Sequence, residues 1–142
     1  MNTSPDSRDS HYFSENPSAP SRRSEFEIAL RDRTLLLASD AGVFSQRGLD
    51  KGTAVLLDIM TRSDSPVIPD GSLLCDIGCG SGPIALALAS MYPRCTVIAV
   101  DVNERARKLC ADNARANKLN NVRVVAPEEV NPEDRYALIW SN

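Results

Sequence analysis

The sequence predicts an α/β fold, a Rossmann-like doubly wound parallel sheet that follows an N-terminal β-hairpin. Four short apolar runs are separated by stretches with helical spacing or by loops, a pattern typical of parallel strands joined by right-handed crossovers. The first run leads into residues 76–83 (DIGCGSGP), which predict a strand end, a tight glycine loop and a helix start. With 142 residues, 42% of them hydrophobic, the chain is long enough for one domain with a real core.

The N-terminal part of the chain divides into a polar segment and a hairpin. Residues 1–24 are rich in Ser and Pro, so we expect a largely flexible segment, with the folded domain over residues 25–142. Alternating apolar side chains at residues 26–30 and a second strand-like run at 34–37 predict the hairpin. A glycine-punctuated loop then leads to Asp50, which can cap a helix that runs to about Thr61.

The remaining elements follow from apolar runs and capping residues. Pro83 is suited to the first position of a helix, and Asn103 can cap the next helix. The first strand is nearly all apolar, as expected for a strand buried on both faces. An acidic loop at residues 127–134 precedes the last strand. The four predicted strands are residues 73–77, 96–100, 122–126 and 136–141.

Composition and charge exclude several classes of protein. The net charge of −3 gives no general attraction to nucleic acid. No apolar window is long enough for a membrane span, and the first twenty residues do not resemble a signal peptide. The cysteines match no zinc pattern and are interpreted as buried apolar fillers: Cys75, Cys79, Cys95 and Cys110. We therefore expect a cytoplasmic protein without a membrane partner or a metal.

The glycine loop predicts the class of ligand. In a parallel sheet, ligands bind beyond the carboxyl ends of the strands, where Gly78 and Gly80 allow a ligand to approach the main chain. Asp101, at the end of the second strand, can accept hydrogen bonds from both hydroxyls of a ribose. The G-x-G-x-G spacing differs from that of dinucleotide sites, because Pro83 stands where their third glycine would be. Asp76 would repel a pyrophosphate but suits a cationic amine, which favours S-adenosylmethionine. A glycine turn that only closes the βα unit is the alternative.

These residues resemble the class I S-adenosylmethionine-dependent methyltransferases. Residues 11–14 (HYFS), 42–45 (GVFS) and 49–53 (LDKGT) further resemble the catalytic domain of the ribosomal RNA small-subunit methyltransferase C family. This resemblance covers residues 11–142. It implies a seven-stranded sheet, of which the chain supplies the first four strands. It also implies methyl transfer to the exocyclic amine of guanine in ribosomal RNA.

The resemblance also implies roles for individual residues. The residues of the glycine loop would contact the methionine part of the cofactor: Asp76, Gly78, Cys79 and Gly80. Asp101 would hold the ribose, and Val102 and Asn103 would flank the adenine. Thr53 would contact the cofactor carboxylate. Glu128 stands after the third strand, where the family places an acidic or amide residue that reads the adenine amine.

The last residues match the start of a catalytic motif. The fourth strand of the amino-methyltransferases that this chain resembles ends in Asn-Pro-Pro-aromatic, and residues 138–142 read LIWSN. Asn142 would accept a hydrogen bond from the target amine and direct its lone pair at the sulfonium methyl, a positioning role that needs no metal. The prolines and the aromatic residue are absent.

The end of the sequence leads to an expectation about the whole chain. The fourth strand would present an unpaired apolar edge, so we expect a fragment of a longer gene product or a chain that associates with a partner. The isolated chain is then expected to be unstable or associating and to lack turnover. Two alternatives stay open: a fragment that binds S-adenosylmethionine without activity, and an adenine or glutamine-amide methyltransferase with the same Asn-Pro-Pro motif.

Overall fold

A computed structural model of the chain describes residues 23–41, 43, 51–62 and 64–141. It contains a two-stranded antiparallel sheet and a four-stranded parallel sheet. The strands are β1 Arg23–Ala29, β2 Thr34–Asp40, β3 Leu73–Ile77, β4 Thr96–Val100, β5 Val122–Val125 and β6 Tyr136–Ser141. The helices are α1 Lys51–Met60, α2 Pro83–Met91 and α3 Glu104–Ala116, with a short 3-10 turn at Pro127–Glu129.

The parallel sheet has the strand order β5-β4-β3-β6, so the chain changes direction across the sheet between β5 and β6. β3 and β4 pair in register from Leu73 opposite Thr96 to Ile77 opposite Val100. On its other side β3 pairs with β6, with Ile77 opposite Ser141. The fourth strand of this sheet therefore lies beside the first. The glycine loop leaves β3 at this switch point, where ligands bind in sheets of this kind.

The core lies between the parallel sheet and the three helices, which pack on one of its faces. α2 is almost fully buried from Ile84 to Ala89, because it lies between the sheet and α1 and carries apolar side chains on all of its faces. The hairpin adds Ile28, Leu35 and Leu37 to the same core and contacts α3 through β2. The order of layers is therefore sheet, helices and hairpin.

The opposite face of the sheet carries a smaller apolar cluster around Cys75 and Ile98. No helix covers that face among the described residues. The prediction that the whole of the first sheet strand is buried on both faces was therefore wrong at its end, where Ile77 is 46% exposed. Ile139 of β6 is 55% exposed on the same face. Within the described part of the chain, β6 is also an edge strand with β3 as its one partner.

Most predicted boundaries agree with the structure to within a residue. α3 begins as predicted, with Oδ1 of Asn103 accepting a hydrogen bond of 3.1 Å from the main-chain N–H of Ala106. The hairpin strands are longer than predicted, and β5 ends one residue earlier, before Ala126. Asp50 lies outside the described residues, as do residues 1–22, so the predicted helix cap and the flexible N-terminal segment stay predictions. The predicted strands at residues 73–77, 96–100 and 136–141 have the same bounds as β3, β4 and β6.

Candidate functional site

The glycine loop is held against the end of β4 by main-chain hydrogen bonds. The N–H groups of Gly78 and Cys79 both donate to the carbonyl oxygen of Val100, at 2.8 and 3.0 Å. Gly78 and Gly80 adopt positive φ angles of 75° and 56°, which confirms that the loop uses conformations that other residues rarely adopt. A Cβ atom built on Gly78 would meet nothing within 4 Å. The main chain at Gly78 is therefore open to a ligand from that side.

Asp101 joins the glycine loop to the beginning of α3. Its Oδ2 accepts a hydrogen bond of 2.9 Å from the N–H of Gly80, and its Oδ1 accepts one of 2.9 Å from the N–H of Asn103. The residue is 2% exposed. Asp101 therefore ties the glycine loop to the beginning of α3, and its contact with the hydroxyls of a ribose stays a prediction.

Asp76, the acid before the loop, is also buried. Its Oδ2 accepts a hydrogen bond of 3.0 Å from the N–H of Ala85 in the first turn of α2. Oδ1 has no hydrogen-bond partner among the described residues and can accept one from a ligand. Burial raises the pKa of Asp76 from 3.8 to about 7; the Ala85 hydrogen bond opposes this rise and the nearby Asp101 adds to it. A cationic group beside Asp76 would favour the ionised form.

Gly82 serves packing rather than ligand access. Its φ is 98°, and a Cβ atom there would lie 2.6 Å from Sγ of Cys110 and 2.9 Å from Cδ1 of Leu86. Sγ of Cys79 also contacts Cys110, and this hydrogen bond, together with burial, raises the pKa of Cys79 well above its usual value. The neutral thiol of Cys79 and the side chain of Cys110 fill the space between the loop and α3. All four cysteines are buried, as the sequence predicts.

The predicted adenine contacts occupy different environments. Val102 is 37% exposed and directly follows Asp101, so it is accessible to a ligand. The side chain of Asn103 has no exposed surface and caps α3, and its place beside the adenine stays a prediction. Glu128 is exposed on the 3-10 turn after β5, whereas the neighbouring Glu129 accepts a hydrogen bond of 2.9 Å from the N–H of Ala126.

Two further predicted site residues are placed only in part. Thr53 lies in the first turn of α1 and is buried, and its contact with a ligand stays a prediction. Asn142 lies outside the described residues. β6 and β3 are parallel and Ser141 pairs with Ile77, so β6 ends at the sheet edge from which the glycine loop begins. Asn142 directly follows Ser141 in the sequence, and its catalytic role stays a prediction.

Only part of the family-specific motifs falls on described residues. Residues 11–14 (HYFS) and 49–50 lie outside them, as does 42–45 (GVFS) except for Val43. Val43 is buried against Ala106 and Leu109 of α3. The carbonyl oxygen of Ala41 accepts a hydrogen bond of 3.2 Å from Arg105. The chain thus passes from β2 onto the N-terminal half of α3, the end of the helix nearest Asp101.

Sequence reasoning missed two asparagines on the buried side of α3. Asn113 and Asn117 are 3% and 9% exposed, and both bind the main chain of β2. Asn113 also donates to the carbonyl oxygen of Ser81 in the glycine loop, at 2.9 Å. The signal in the sequence is a polar side chain on the helix face that also carries Leu109 and Cys110.

The site has the groups needed for a polar, cationic ligand with hydroxyl groups. Asp76 precedes the open main-chain segment at Gly78, and Asp101 binds the same loop at Gly80. Among the described residues, no group of three or more His, Cys, Asp and Glu side chains could hold a metal ion. No helix in the described part of the chain is long and apolar enough to cross a membrane.

Comparisons with known proteins agree with this geometry. The uncharacterized protein YbxB of Bacillus subtilis is 37% identical over 135 residues, which cover 93% of this chain and 65% of YbxB. The ribosomal RNA small subunit methyltransferase C of Shewanella amazonensis is 34% identical over 101 residues, which cover 71% of this chain and 28% of that protein. The chain thus spans less than two thirds of the length of either relative.

A solved structure shows the same fold. The 16S rRNA N2 methyltransferase of T. thermophilus, in complex with AdoMet and guanosine, superposes with a TM-score of 0.73 at 24% identity. The match covers 89% of this chain and 34% of that chain. Residues 34–142 match the family model of the methyltransferase small domain. Because that match includes both the glycine loop and the end of β6, the chain belongs to the methyltransferase small domain family.

Proposed function

We propose that this chain binds S-adenosylmethionine at the glycine loop and takes part in methyl transfer to the exocyclic amine of guanine in ribosomal RNA. The observation that carries the proposal is the pairing of an open main chain at Gly78 with the carboxylates of Asp76 and Asp101. The names of the Shewanella relative and of the T. thermophilus structure support the choice of ribosomal RNA.

The two carboxylates suit opposite ends of the cofactor. Asp76, with Oδ1 available, would accept a hydrogen bond from the ammonium group of the methionine part. Asp101 would accept hydrogen bonds from the ribose hydroxyls while its Oδ2 keeps Gly80 in place. Val102 and Glu128 would lie beside the adenine, because both are exposed and follow β4 and β5, the two strands on one side of β3. Thr53, Cys79 and the main chain at Asn103 complete the proposed set.

The transfer itself requires alignment more than new chemistry. The sulfonium of S-adenosylmethionine supplies an activated methyl group when it is bound. In the proposed step, the guanine amine attacks this methyl carbon, the bond from carbon to sulfur breaks, and the amine then loses a proton. Asn142 would accept a hydrogen bond from that amine, and so orient its lone pair in line with the breaking bond. This residue directly follows β6, whose end lies beside the glycine loop.

Product analysis tests the proposal. The full chain is incubated with S-adenosylmethionine labelled on the methyl group and with unmodified ribosomal RNA, and the digested RNA is analysed for methylated nucleosides. We expect label in N2-methylguanosine. Label in N6-methyladenosine, or in glutamine side chains of an added protein substrate, would support the adenine or glutamine-amide alternative. Binding of the cofactor without labelled product would support a binding fragment.

A further inference from the structure

Two carboxamides, of Asn113 in α3 and of Asn117 at the C-terminal cap of that helix, hold the free edge of β2. Oδ1 of Asn113 accepts a hydrogen bond of 2.8 Å from the N–H of Ala38, and its Nδ2 donates to the Ala38 carbonyl at 2.9 Å. Asn117 makes the same pair of contacts with Leu36, at 3.1 and 2.8 Å. β2 pairs with β1 along its other edge. Each carboxamide, with one acceptor and two donor protons, therefore acts as a neighbouring strand would.

The two asparagines differ in their third hydrogen bond. The second proton on Nδ2 of Asn117 goes to the main-chain carbonyl of Asn113, at 2.8 Å within the same helix. The second proton on Nδ2 of Asn113 goes to the carbonyl oxygen of Ser81, at 2.9 Å. Asn113 therefore touches both the hairpin and the glycine loop, whereas Asn117 touches the hairpin alone.

The position of Ser81 in the loop makes this contact consequential. Ser81 lies between Gly80, whose N–H is bound to Asp101, and Gly82, which packs against Cys110. A shift of the Ser81 carbonyl would move the Gly80 N–H, and with it the carboxylate that faces the proposed ribose. Asn113 is 3% exposed, so water cannot easily replace the lost hydrogen bonds.

We propose that Asn113 is a positioning residue that couples the docking of the N-terminal hairpin to the geometry of the glycine loop. The coupling is reciprocal, because a ligand that orders the loop also strengthens the attachment of β2 through the same carboxamide. The effect on the cofactor rests on the proposed function, since it requires the loop to bind S-adenosylmethionine. The attachment of the loop to the hairpin does not.

Matched variants separate positioning from simple stabilisation. Asn113→Ala and Asn117→Ala each remove two hydrogen bonds to β2, but only the first removes the bond to Ser81. By calorimetric titration of the full chain, we expect Asn113→Ala to raise the Kd for S-adenosylmethionine by about fivefold or more. Asn117→Ala should leave the Kd within about twofold of wild type. Equal changes in the two variants, or an unchanged Kd in Asn113→Ala, would overturn the proposal.

Amide hydrogen exchange of the wild-type chain provides a second readout, which does not require any variant to fold. In the wild-type chain, saturating S-adenosylmethionine should slow exchange of the Ala38 amide more than that of the Leu36 amide. If cofactor binding slows exchange of the two amides equally, or slows neither, the result contradicts the coupling. If the wild type binds no cofactor, the proposed function is wrong. Amide exchange measured without cofactor then tests whether Asn113 attaches the loop to the hairpin. Without cofactor, Asn113→Ala should speed amide exchange at Gly80 and Gly82, whereas Asn117→Ala should not, and unchanged exchange in Asn113→Ala would show that the inference is wrong. If Asn113→Ala shows no cooperative unfolding, Asn113→Asp takes its place, because it keeps the acceptor for Ala38. Unchanged exchange at Gly80 and Gly82 in that variant would likewise show that the inference is wrong.

Discussion

The main-chain N–H of Gly80 donates a hydrogen bond of 2.9 Å to Oδ2 of Asp101. This bond joins the loop after β3 to the residue that follows β4, across the end of the parallel pair. The loop conformation and the carboxylate position therefore depend on each other. The affinity of a ligand that binds the loop or the carboxylate therefore depends on the positions of both.

Replacing Gly78 and Gly82 with alanine should separate ligand access from packing. Gly82→Ala places a Cβ atom 2.6 Å from Sγ of Cys110, so we expect it to lower the free energy of unfolding by about 2–3 kcal/mol. Gly78→Ala has open space around its Cβ, so the positive φ alone should cost about 1 kcal/mol. Urea denaturation measures both.

The affinities of the same two variants should run in the opposite order. The new methyl group at Gly78 points into the space proposed for the cofactor, so Gly78→Ala should weaken S-adenosylmethionine binding by about tenfold. Gly82→Ala, where it remains folded, should bind more tightly than Gly78→Ala. A larger loss of stability in Gly78→Ala than in Gly82→Ala would contradict these assignments.

Asp76 should make the folded state less stable as the pH rises from about 4 to about 7. Burial raises its pKa to about 7, so over this range the folded chain keeps a proton that the unfolded chain has lost. The free energy of unfolding should therefore fall by about 1.4 kcal/mol per pH unit from this residue. Above pH 7 the contribution is constant.

Urea denaturation at several pH values checks this slope. Asp76→Asn cannot ionise and should remove the component of the slope that belongs to this site. Asp58→Asn is the control, because Asp58 is exposed on α1 in a pair with Arg62. The same pH profile in wild type and Asp76→Asn would show that folding does not raise the pKa of Asp76.

Binding of S-adenosylmethionine should release a proton from Asp76 below pH 7. The ammonium group of the cofactor favours the ionised carboxylate, so the affinity should fall by about tenfold per unit below the pKa of Asp76. Titration calorimetry in buffers of different ionisation enthalpy counts the protons released. Asp76→Asn should bind more weakly and release none. Equal proton release in both proteins would place the titrating group elsewhere.

Glu128 and Glu129 should have separate roles despite their adjacency. Glu128 is exposed and is proposed to bind the adenine amine, so Glu128→Ala should weaken binding of the cofactor about threefold without lowering stability. Glu129 accepts a hydrogen bond from the Ala126 N–H. Glu129→Ala should therefore lower stability by about 1 kcal/mol. Calorimetric titration and thermal unfolding of both variants measure these effects, and unchanged affinity in Glu128→Ala would exclude the adenine contact.

The sequence predicted those features that depend on local signals. β3, α2 and β4 could be placed because apolar runs meet glycine, proline and acidic residues at their ends. The cap by Asn103 follows from the same local chemistry. The length of the first hairpin strand was underestimated because Arg23–Glu25 are polar and exposed. These residues pair with β2 through the main chain, which leaves no apolar pattern in the sequence.

Features that depend on tertiary contacts could not be predicted in this way. Asn113 reads as an ordinary polar residue of a helix until β2 and Ser81 are placed on either side of it. Gly82 reads as a third loop glycine, and only the position of Cys110 shows that packing requires it. The cap by Asn103 is a local feature, but its complete burial depends on the elements packed around α3.

The central claim is that the loop and Asp101 together bind S-adenosylmethionine through its ribose. The most direct measurement is calorimetric titration of the cofactor into wild type and Asp101→Ala, with Asp58→Ala as the control for an exposed acid. We predict saturable one-to-one binding to wild type and to the control, and affinity at least about tenfold weaker for Asp101→Ala. Equal affinity of wild type and Asp101→Ala would contradict the account.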